Sequence, residues 1–242
     1  MSSSPNQRRA IITGASSGLG KATALAFAKA GIDLALVSRS QGKLEAVAEA
    51  ARQVGVEARA YPLDLAKIEE VQAEIAAIAA DFGSIDILVN NAGIGYTNSL
   101  SDTPLTDWQQ VLNLNLTSAF QCVLGVLPAL RERRQGTIVN IASIAAQNPF
   151  PNWGAYSVSK AGLIAFSKPL AAEERANGIR VVTISPGAVN TSIWDTDTVQ
   201  ADFDRSAMLD PETVAQSILH VTLMPAQAVV EELTLMPSAG AL

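Results

Sequence analysis

The sequence predicts one α/β domain, built on a doubly wound, parallel seven-stranded sheet with helices on both faces. Short apolar segments alternate with alanine-rich or amphipathic segments along the whole of the 242-residue chain. The short segments are apolar at nearly every position, which is typical of parallel strands buried on both faces. No linker, repeat or low-complexity stretch divides the chain, so we treat residues 1–242 as a single domain.

The predicted elements follow one another in strict order. Strands are predicted at Arg9–Thr13, Leu34–Val37, Glu57–Leu63, Asp86–Val89, Thr137–Ile141, Ile179–Ile184 and Glu231–Met236. Helices are predicted at Lys21–Ala30, Gln41–Val54, Ile68–Phe82, Asp107–Arg131, Ala155–Ala176 and Pro211–Leu223. Thr106 and Asp210 are the expected N-caps of the fourth and sixth helices, and Pro211 suits a first turn. Pro169 lies inside the fifth helix and is expected to kink it. Right-handed crossovers then distribute the helices over both faces.

Composition excludes several functional classes. The net charge of −6 forms no basic stripe, so nucleic acid is not an expected partner. Cys122 is the only cysteine, which rules out an intrachain disulfide, and its apolar helical surroundings indicate a buried thiol. With His220 as the only histidine, neither a His/Cys metal site nor a Ser-His-Asp triad is expected.

The chain carries no sign of export or membrane insertion. The start, MSSSPNQRR, lacks the apolar region of a signal peptide. No run of about 18 apolar residues is present, so no membrane span is expected. These features predict a cytoplasmic protein.

The first strand leads into TGASSGLG and then a helix, which predicts a dinucleotide site. Gly14, Gly18 and Gly20 permit a tight turn and let backbone N–H groups approach a pyrophosphate at the helix N-terminus. The spacing is G-x3-G-x-G, which differs from the general G-x-G-x-x-G fingerprint. The prediction of a dinucleotide site therefore depends on the position of this turn, which is the first βα turn of the chain. The intervening residues of this turn are Ser16, Ser17 and Leu19.

The ends of the next strands refine the cofactor prediction. Ser38 and Arg39 follow the second strand where a carboxylate would favour NAD, and the cation there favours NADP(H). Asp64, followed by Leu65, ends the third strand, where it can accept from an adenine amino group, cap the next helix, or do both. The fourth strand ends in small residues that can pass beneath a nucleotide, namely Asn91, Ala92 and Gly93.

Tyr156 and Lys160 are four residues apart on the fifth helix and therefore share one face. A neighbouring ammonium is expected to lower the pKa of the phenol towards working pH. Such a tyrosine can donate a proton to a carbonyl oxygen or take one from an alcohol. Ser143, at the end of the preceding strand, offers a second hydroxyl to the same oxygen.

These motifs together resemble the short-chain dehydrogenase/reductase family over about Arg9 to Met236. The resemblance rests on TGASSGLG, Asp64, NNAG, Asn115 within VLNLNLTSAF, Ser143, YSVSK and SPGAVNT, in family order. It implies a Rossmann fold and a homotetramer or dimer that packs the helices near 107–131 and 155–176. It also implies use of NADPH, through Arg39.

The resemblance implies roles residue by residue. Tyr156 is the implied acid/base, and Lys160 lowers its pKa and binds the nicotinamide ribose. Ser143 polarises the substrate carbonyl, and Asn115 holds a water that links Lys160 to solvent. The nicotinamide carboxamide is held by Pro186, Gly187, Val189 and Thr191.

The predicted substrate walls are Ile94–Thr97, Ile144–Trp153 and Ser192–Leu209. Their large side chains favour an apolar or aryl ketone over a sugar, and they are Tyr96, Phe150, Trp153, Trp194, Phe203 and Met208. The sequence therefore predicts an NADPH-dependent reductase of ketones or aldehydes. One alternative is a 3-oxoacyl-[acyl-carrier-protein] reductase, whose acidic carrier would dock on Arg131, Arg133 and Arg134. Another is a regulator that senses NADP(H) without turnover.

Overall fold

The structure is a computed structural model that describes residues 7–148, 150–201 and 204–240. In these ranges the strands are β1 (Arg9–Thr13), β2 (Asp33–Ser38), β3 (Ala58–Pro62), β4 (Ile87–Asn90), β5 (Gly136–Ile141), β6 (Ile179–Pro186) and β7 (Glu232–Leu235). They form one sheet in the order β3-β2-β1-β4-β5-β6-β7, and every neighbouring pair is parallel. The chain switches direction across the sheet between β1 and β4, where open α/β sheets form ligand crevices.

The α-helices cover both faces of the sheet. They are α1 (Gly18–Lys29), α2 (Gln41–Arg52), α3 (Ile68–Phe82), α4 (Leu105–Leu112), α5 (Ser118–Arg133), α6 (Gly154–Glu174) and α7 (Pro211–Thr222). One apolar core joins α1, α2 and α7 to the sheet, and the second joins α3, α5 and α6. Consecutive strand residues divide between them, so Ile12 packs in the first core and Ile11 in the second. The predicted doubly wound fold is confirmed.

The fourth predicted helix, Asp107–Arg131, is confirmed as one helical stretch, Leu105–Arg133, but it begins two residues earlier than predicted and is not α-helical throughout. A π-helical segment, Asn113–Thr117, separates α4 from α5. Pro104 occupies the N-cap position in extended conformation, so Thr106 lies inside the first turn and is not the cap. Its hydroxyl donates to Asp107 Oδ1 at 3.3 Å.

The two proline predictions concern α6 and α7. Asp210 is the N-cap residue of α7 and Pro211 starts the helix, as predicted, but the Asp210 side chain makes no capping hydrogen bond. Pro169 lies within α6, which continues as one helix to Glu174.

The α4–α5 stretch behaves as a core element. Within the described residues, Leu105–Arg133 is the one helical stretch long and apolar enough to span a membrane, but 56% of its apolar window is buried inside the protein. Cys122 lies in this buried part, and burial raises the pKa of its thiol to about 12. The structure thus agrees with the prediction of a buried thiol.

The arginines at the end of α5 are bound to the protein itself. Arg131 pairs with the buried carboxylate of Glu174 on α6. Arg133 pairs with Asp86, just before β4, and Arg134 donates to a backbone carbonyl just before β6. All three therefore lie at the edge where the parallel strands begin, away from the ends where ligands bind.

Candidate active site

The glycine turn after β1 is packed too closely for side chains. A Cβ on Gly20 would lie 2.2 Å from Gly14 O, and one on Gly14 would lie 2.9 Å from the backbone of Ala92. Gly14 and Gly18 also have φ values of +65° and +50°, which residues with a side chain rarely adopt. Asn91 Nδ2 holds the turn from the next loop by donating to Thr13 O at 3.0 Å. The turn leaves the N-terminus of α1 open to an anionic group.

A cleft of about 570 Å³ runs along the carboxyl ends of the strands. A cavity of this size is typical of a small-molecule or cofactor site. It is lined by every residue predicted to bind the cofactor: Gly14, Ser16, Ser17, Gly18, Leu19, Gly20, Ser38, Arg39, Asp64, Leu65, Asn91, Ala92, Gly93, Tyr156, Lys160, Pro186, Gly187, Val189 and Thr191. The structure therefore brings these distant segments to one place.

The cleft end beside β2 is cationic. Arg39 is exposed there, and Ser38 is buried with no hydrogen-bond partner for its Oγ. Lys43 also lines the cleft, and the sequence reasoning missed it. The sequence did contain a signal for Lys43: a lysine in the first turn of a helix is unfavourable with the helix dipole, so its presence there calls for another reason. Asp64 is the only acidic residue among the described residues that line the cleft.

Asp64 has a local role that differs from the expected one. Its Oδ1 accepts from Ala66 N at 3.1 Å, and the N-cap of α3 is Lys67. The carboxylate therefore closes the turn before the helix and does not cap the helix itself. It still lines the cleft, where acceptance from an adenine remains a prediction.

Ser143 and Tyr156 lie together where β5 ends and α6 begins. Ser143 Oγ accepts from Ala145 N at 3.1 Å, which fixes the hydroxyl, and the side chain is close enough to the Tyr156 phenol to act on its pKa. Lys160 Nζ donates to Ile141 O at 2.8 Å and lies 5.8 Å from the centroid of the Tyr156 ring. Two hydroxyls and an amine therefore converge on one end of the cleft.

The pKa of the Tyr156 phenol shifts in the direction opposite to the one expected. Burial raises the pKa of the Tyr156 phenol, and the hydrogen bond with Ser143 opposes the shift. Burial also lowers the pKa of Lys160 to about 8. Desolvation disfavours the charged form of each residue. The Tyr156 phenol therefore keeps its proton at neutral pH.

Asn115 lies behind the cleft, in the π-helical segment. Its Oδ1 accepts from Ile94 N at 2.8 Å, and its Nδ2 donates to Ile94 O and to Ser159 Oγ, each at 3.0 Å. Ser159 in turn donates to Tyr156 O at 2.7 Å. The side chain thus ties the loop after β4 to α6, and its expected water remains a prediction.

The cleft is aromatic next to Tyr156, away from the cationic end beside β2. Phe150, Trp153 and Trp194 line it as predicted. Trp153 makes edge-to-face contacts with Tyr156 and with Trp194, at centroid distances of 5.3 and 5.7 Å. Trp194 Nε1 also donates to Val189 O at 2.7 Å, which fixes the indole.

Two other predicted wall residues do not line this cleft, and a third is not among the described residues. Tyr96 was wrong as a wall residue: it is 6% exposed and its hydroxyl donates to Asp107 Oδ2 at 3.0 Å, so it points into the protein beside α4. Met208 is buried and also does not line the cleft. Phe203 lies outside the described residues.

Arg205 fastens the segment after β6, and sequence reasoning missed it. Its guanidinium donates to Asn190 Oδ1 at 2.8 Å, to Thr191 O at 2.9 Å and to Asp195 Oδ1 at 2.9 Å. Thr191 lines the cofactor end and Trp194 the aromatic end, so this one side chain connects both. Its partners lie 10 to 15 residues away in an irregular loop, where periodicity gives no signal.

Comparison with known proteins agrees with this geometry. The family model described as short chain dehydrogenase matches residues 8–201. An uncharacterized oxidoreductase of Staphylococcus haemolyticus is 33% identical over 96% of this chain and 98% of its own length. A 3-oxoacyl-[acyl-carrier-protein] reductase of Synechocystis is 37% identical over 90% of each. The crystal structure of an alcohol dehydrogenase from the archaeon Thermococcus sibiricus, complexed with 5-hydroxy-NADP, superposes with a TM-score of 0.88, at 29% identity over 96% of this chain and 97% of that one.

Proposed function

Because the chain belongs to the short-chain dehydrogenase family and is an oxidoreductase, we propose that it reduces ketones or aldehydes with NADPH. One observation carries the proposal: Ser143, Tyr156 and Lys160 converge in the same cleft as a glycine turn shaped for a dinucleotide. The reaction is reversible, so the corresponding alcohol is oxidised in the other direction.

The residues that line the cleft fit NADP(H). The Gly14–Gly20 turn offers backbone N–H groups at the α1 N-terminus to a pyrophosphate, and no Cβ fits at Gly20. The buried Ser38 Oγ without a partner, together with Arg39 and Lys43, suits a ribose 2′-phosphate. The cofactor of the Thermococcus relative supports the same assignment.

The proposed step balances as addition of a hydride and a proton across C=O. Hydride transfer to the carbonyl carbon is the chemistry that a bound nicotinamide supplies. The π electrons move to the carbonyl oxygen, which takes the proton of the Tyr156 phenol, and solvent later restores that proton. Ser143 donates to the same oxygen, so two fixed donors stabilise the charge that develops there.

The raised pKa of Tyr156 favours the reductive direction at neutral pH. A phenol that holds its proton is ready to act as a general acid. Oxidation of an alcohol needs the phenolate instead, so its rate should rise with pH while the reduction rate should not.

The test is to follow NADPH consumption with a panel of ketones and aldehydes, and NADP⁺ reduction with the matching alcohols. Tyr156→Phe should lower kcat at least about 1,000-fold, and Ser143→Ala about 10- to 1,000-fold. Circular dichroism and thermal unfolding check that both variants fold. Full activity of a folded Tyr156→Phe protein would refute the proposal.

The same panel of substrates also tests two alternative functions. The relatives named as 3-oxoacyl-[acyl-carrier-protein] reductases support including an acyl-carrier substrate. The proposed docking arginines do not support that reading, since Arg131, Arg133 and Arg134 are engaged at the far edge of the sheet. A protein that binds NADPH but turns over no carbonyl compound would instead be a sensor.

We also expect a cytoplasmic homodimer or homotetramer. Phe120 on α5 and Val158 on α6 are 40% and 46% exposed. Phe120 makes an edge-to-face contact with Phe166, also on α6, at a centroid distance of 5.8 Å. A joint α5/α6 face is the one expected to pair with a second copy. Light scattering during size-exclusion chromatography measures the assembly, and a monomer at micromolar concentration would contradict it.

A further inference from the structure

The end of the cleft beyond Tyr156 is a wall of three connected rings. Tyr156, Trp153 and Trp194 contact one another in sequence, with ring planes inclined by 71° and 68°. Phe150, Ile144 and Ile193 complete the lining at this end. Trp153 is therefore within reach of a group attached to a carbonyl that Tyr156 protonates.

These rings are held in place by the backbone. Trp194 is fixed by its bond to Val189 O, and Arg205 fastens the segment on both sides of Trp194. Trp153 is the N-cap residue of α6, and its neighbour Asn152 accepts from Asn98 N at 2.8 Å. A wall held this rigidly selects substrates by shape, because ordering it costs little on binding.

Charge is confined to the other end. Among the described residues that line the cleft, the charged side chains are Arg39, Lys43, Asp64 and Lys160. Arg39 and Asp64 follow β2 and β3, Lys43 lies in the first turn of α2, and Lys160 donates to Ile141 O. No charged side chain of this set is available beyond Tyr156, so a substrate carboxylate or phosphate buried there would lack a partner.

We propose that the substrates are neutral ketones that carry an aromatic ring on the carbonyl carbon, and that Trp153 and Trp194 determine this preference. The inference rests on the proposed function and adds the substrate class. A planar ring can make edge-to-face contacts with the indoles, and a puckered ring of the same size cannot.

The test compares acetophenone, cyclohexyl methyl ketone and 4-acetylbenzoate, because the first two share one carbon skeleton and the third adds a carboxylate. We expect kcat/KM with NADPH to be at least about fivefold higher for acetophenone than for the cyclohexyl ketone. It should be at least about 100-fold higher than for 4-acetylbenzoate. Saturation-transfer NMR should rank the binding of the two neutral ketones in the same order without turnover.

Trp153→Leu and Trp194→Leu should each bring the ratio between the two neutral ketones towards one. Trp108→Leu is the matched control, since the third tryptophan is part of α4, packs beside Tyr96 outside the cleft and should leave the ratio unchanged. Equal use of the two neutral ketones, efficient use of the carboxylate, or a ratio unaffected by both indole substitutions would overturn the inference and leave the reductase proposal standing. If neither a ketone nor an aldehyde is reduced, the proposed function fails and this inference fails with it.

Discussion

Replacement of Arg39 tests the cofactor assignment directly. Arg39 is exposed at the mouth of the cleft, next to the buried Ser38 and near Lys43. In Arg39→Gln the side chain remains long and polar but loses its charge. We expect weaker binding of NADP⁺ and NADPH, and little change for NAD⁺ and NADH, because only the former carry a phosphate for this cation to bind.

The exposure of Arg39 sets the magnitude. Two unit charges about 4 Å apart interact by about 1 kcal/mol in water and about 4 kcal/mol near a protein surface. An exposed guanidinium is well solvated, so the lower half of this range applies, at about 1–2 kcal/mol. This corresponds to a loss of roughly 5- to 30-fold in NADP⁺ affinity. Removal of Lys43, which lines the same end of the cleft, should add a further loss.

Isothermal titration calorimetry with NADP⁺ and NAD⁺ measures this effect without any substrate. Lys29→Gln is the matched control, since it removes the same charge from the far end of α1, outside the cleft. The loss should shrink at high ionic strength, because salt screens an exposed pair. If Arg39→Gln weakens the binding of NAD⁺ and NADP⁺ equally, or leaves the binding of both unchanged, the assignment of Arg39 to the 2′-phosphate is refuted.

Three further predictions concern other parts of the chain. Gly20→Ala should lower NADP⁺ affinity at least about tenfold by calorimetry, because its Cβ would collide with Gly14 O, whereas Gly42→Ala has open space and should bind normally. Glu174→Gln should lower the free energy of unfolding by about 1–3 kcal/mol at pH 7. Arg131 depresses the pKa of the Glu174 carboxyl in the folded protein. The contribution of the carboxylate to stability is therefore complete above its unfolded pKa of about 4.3 and disappears as pH falls through the folded value. Urea unfolding should show the stabilities of the variant and the parent converging in acid, and a constant difference would contradict the argument. Arg205→Gln should raise the KM for NADPH about three- to tenfold with a smaller change in kcat, and an unchanged KM would show that the loop after β6 is held without it.

The order of strands and helices could be predicted because it depends on local pattern. Ile11 and Ile12 are both apolar since they face two different cores, and this is the pattern that predicted a buried parallel sheet. The π-helical segment Asn113–Thr117 could not be predicted in this way. It accompanies two hydrogen bonds between the Asn115 side chain and the backbone of Ile94, 21 residues earlier, and the apolar periodicity on both sides is ordinary for a helix.

The same limit applies to the site. The strand-end motifs located the cofactor cleft because parallel strands bring their carboxyl ends to one edge of the sheet. The direction of a single loop side chain depends on its tertiary partner, as Tyr96 illustrates by turning towards Asp107. The direction of the pKa shift of Tyr156 could not be predicted from the sequence either, because it depends on how deeply the phenol is buried.

The ion pairs of Arg131 and Arg133 have a practical consequence for protein engineering. They connect the end of α5 to the end of α6 and to the beginning of β4, on the side of the molecule remote from the cleft. Thermostabilising changes introduced there can accumulate without the usual penalty in turnover, since sites this far apart contribute nearly independently. Libraries that seek new selectivity can then be confined to the opposite rim, on a scaffold already reinforced to tolerate them.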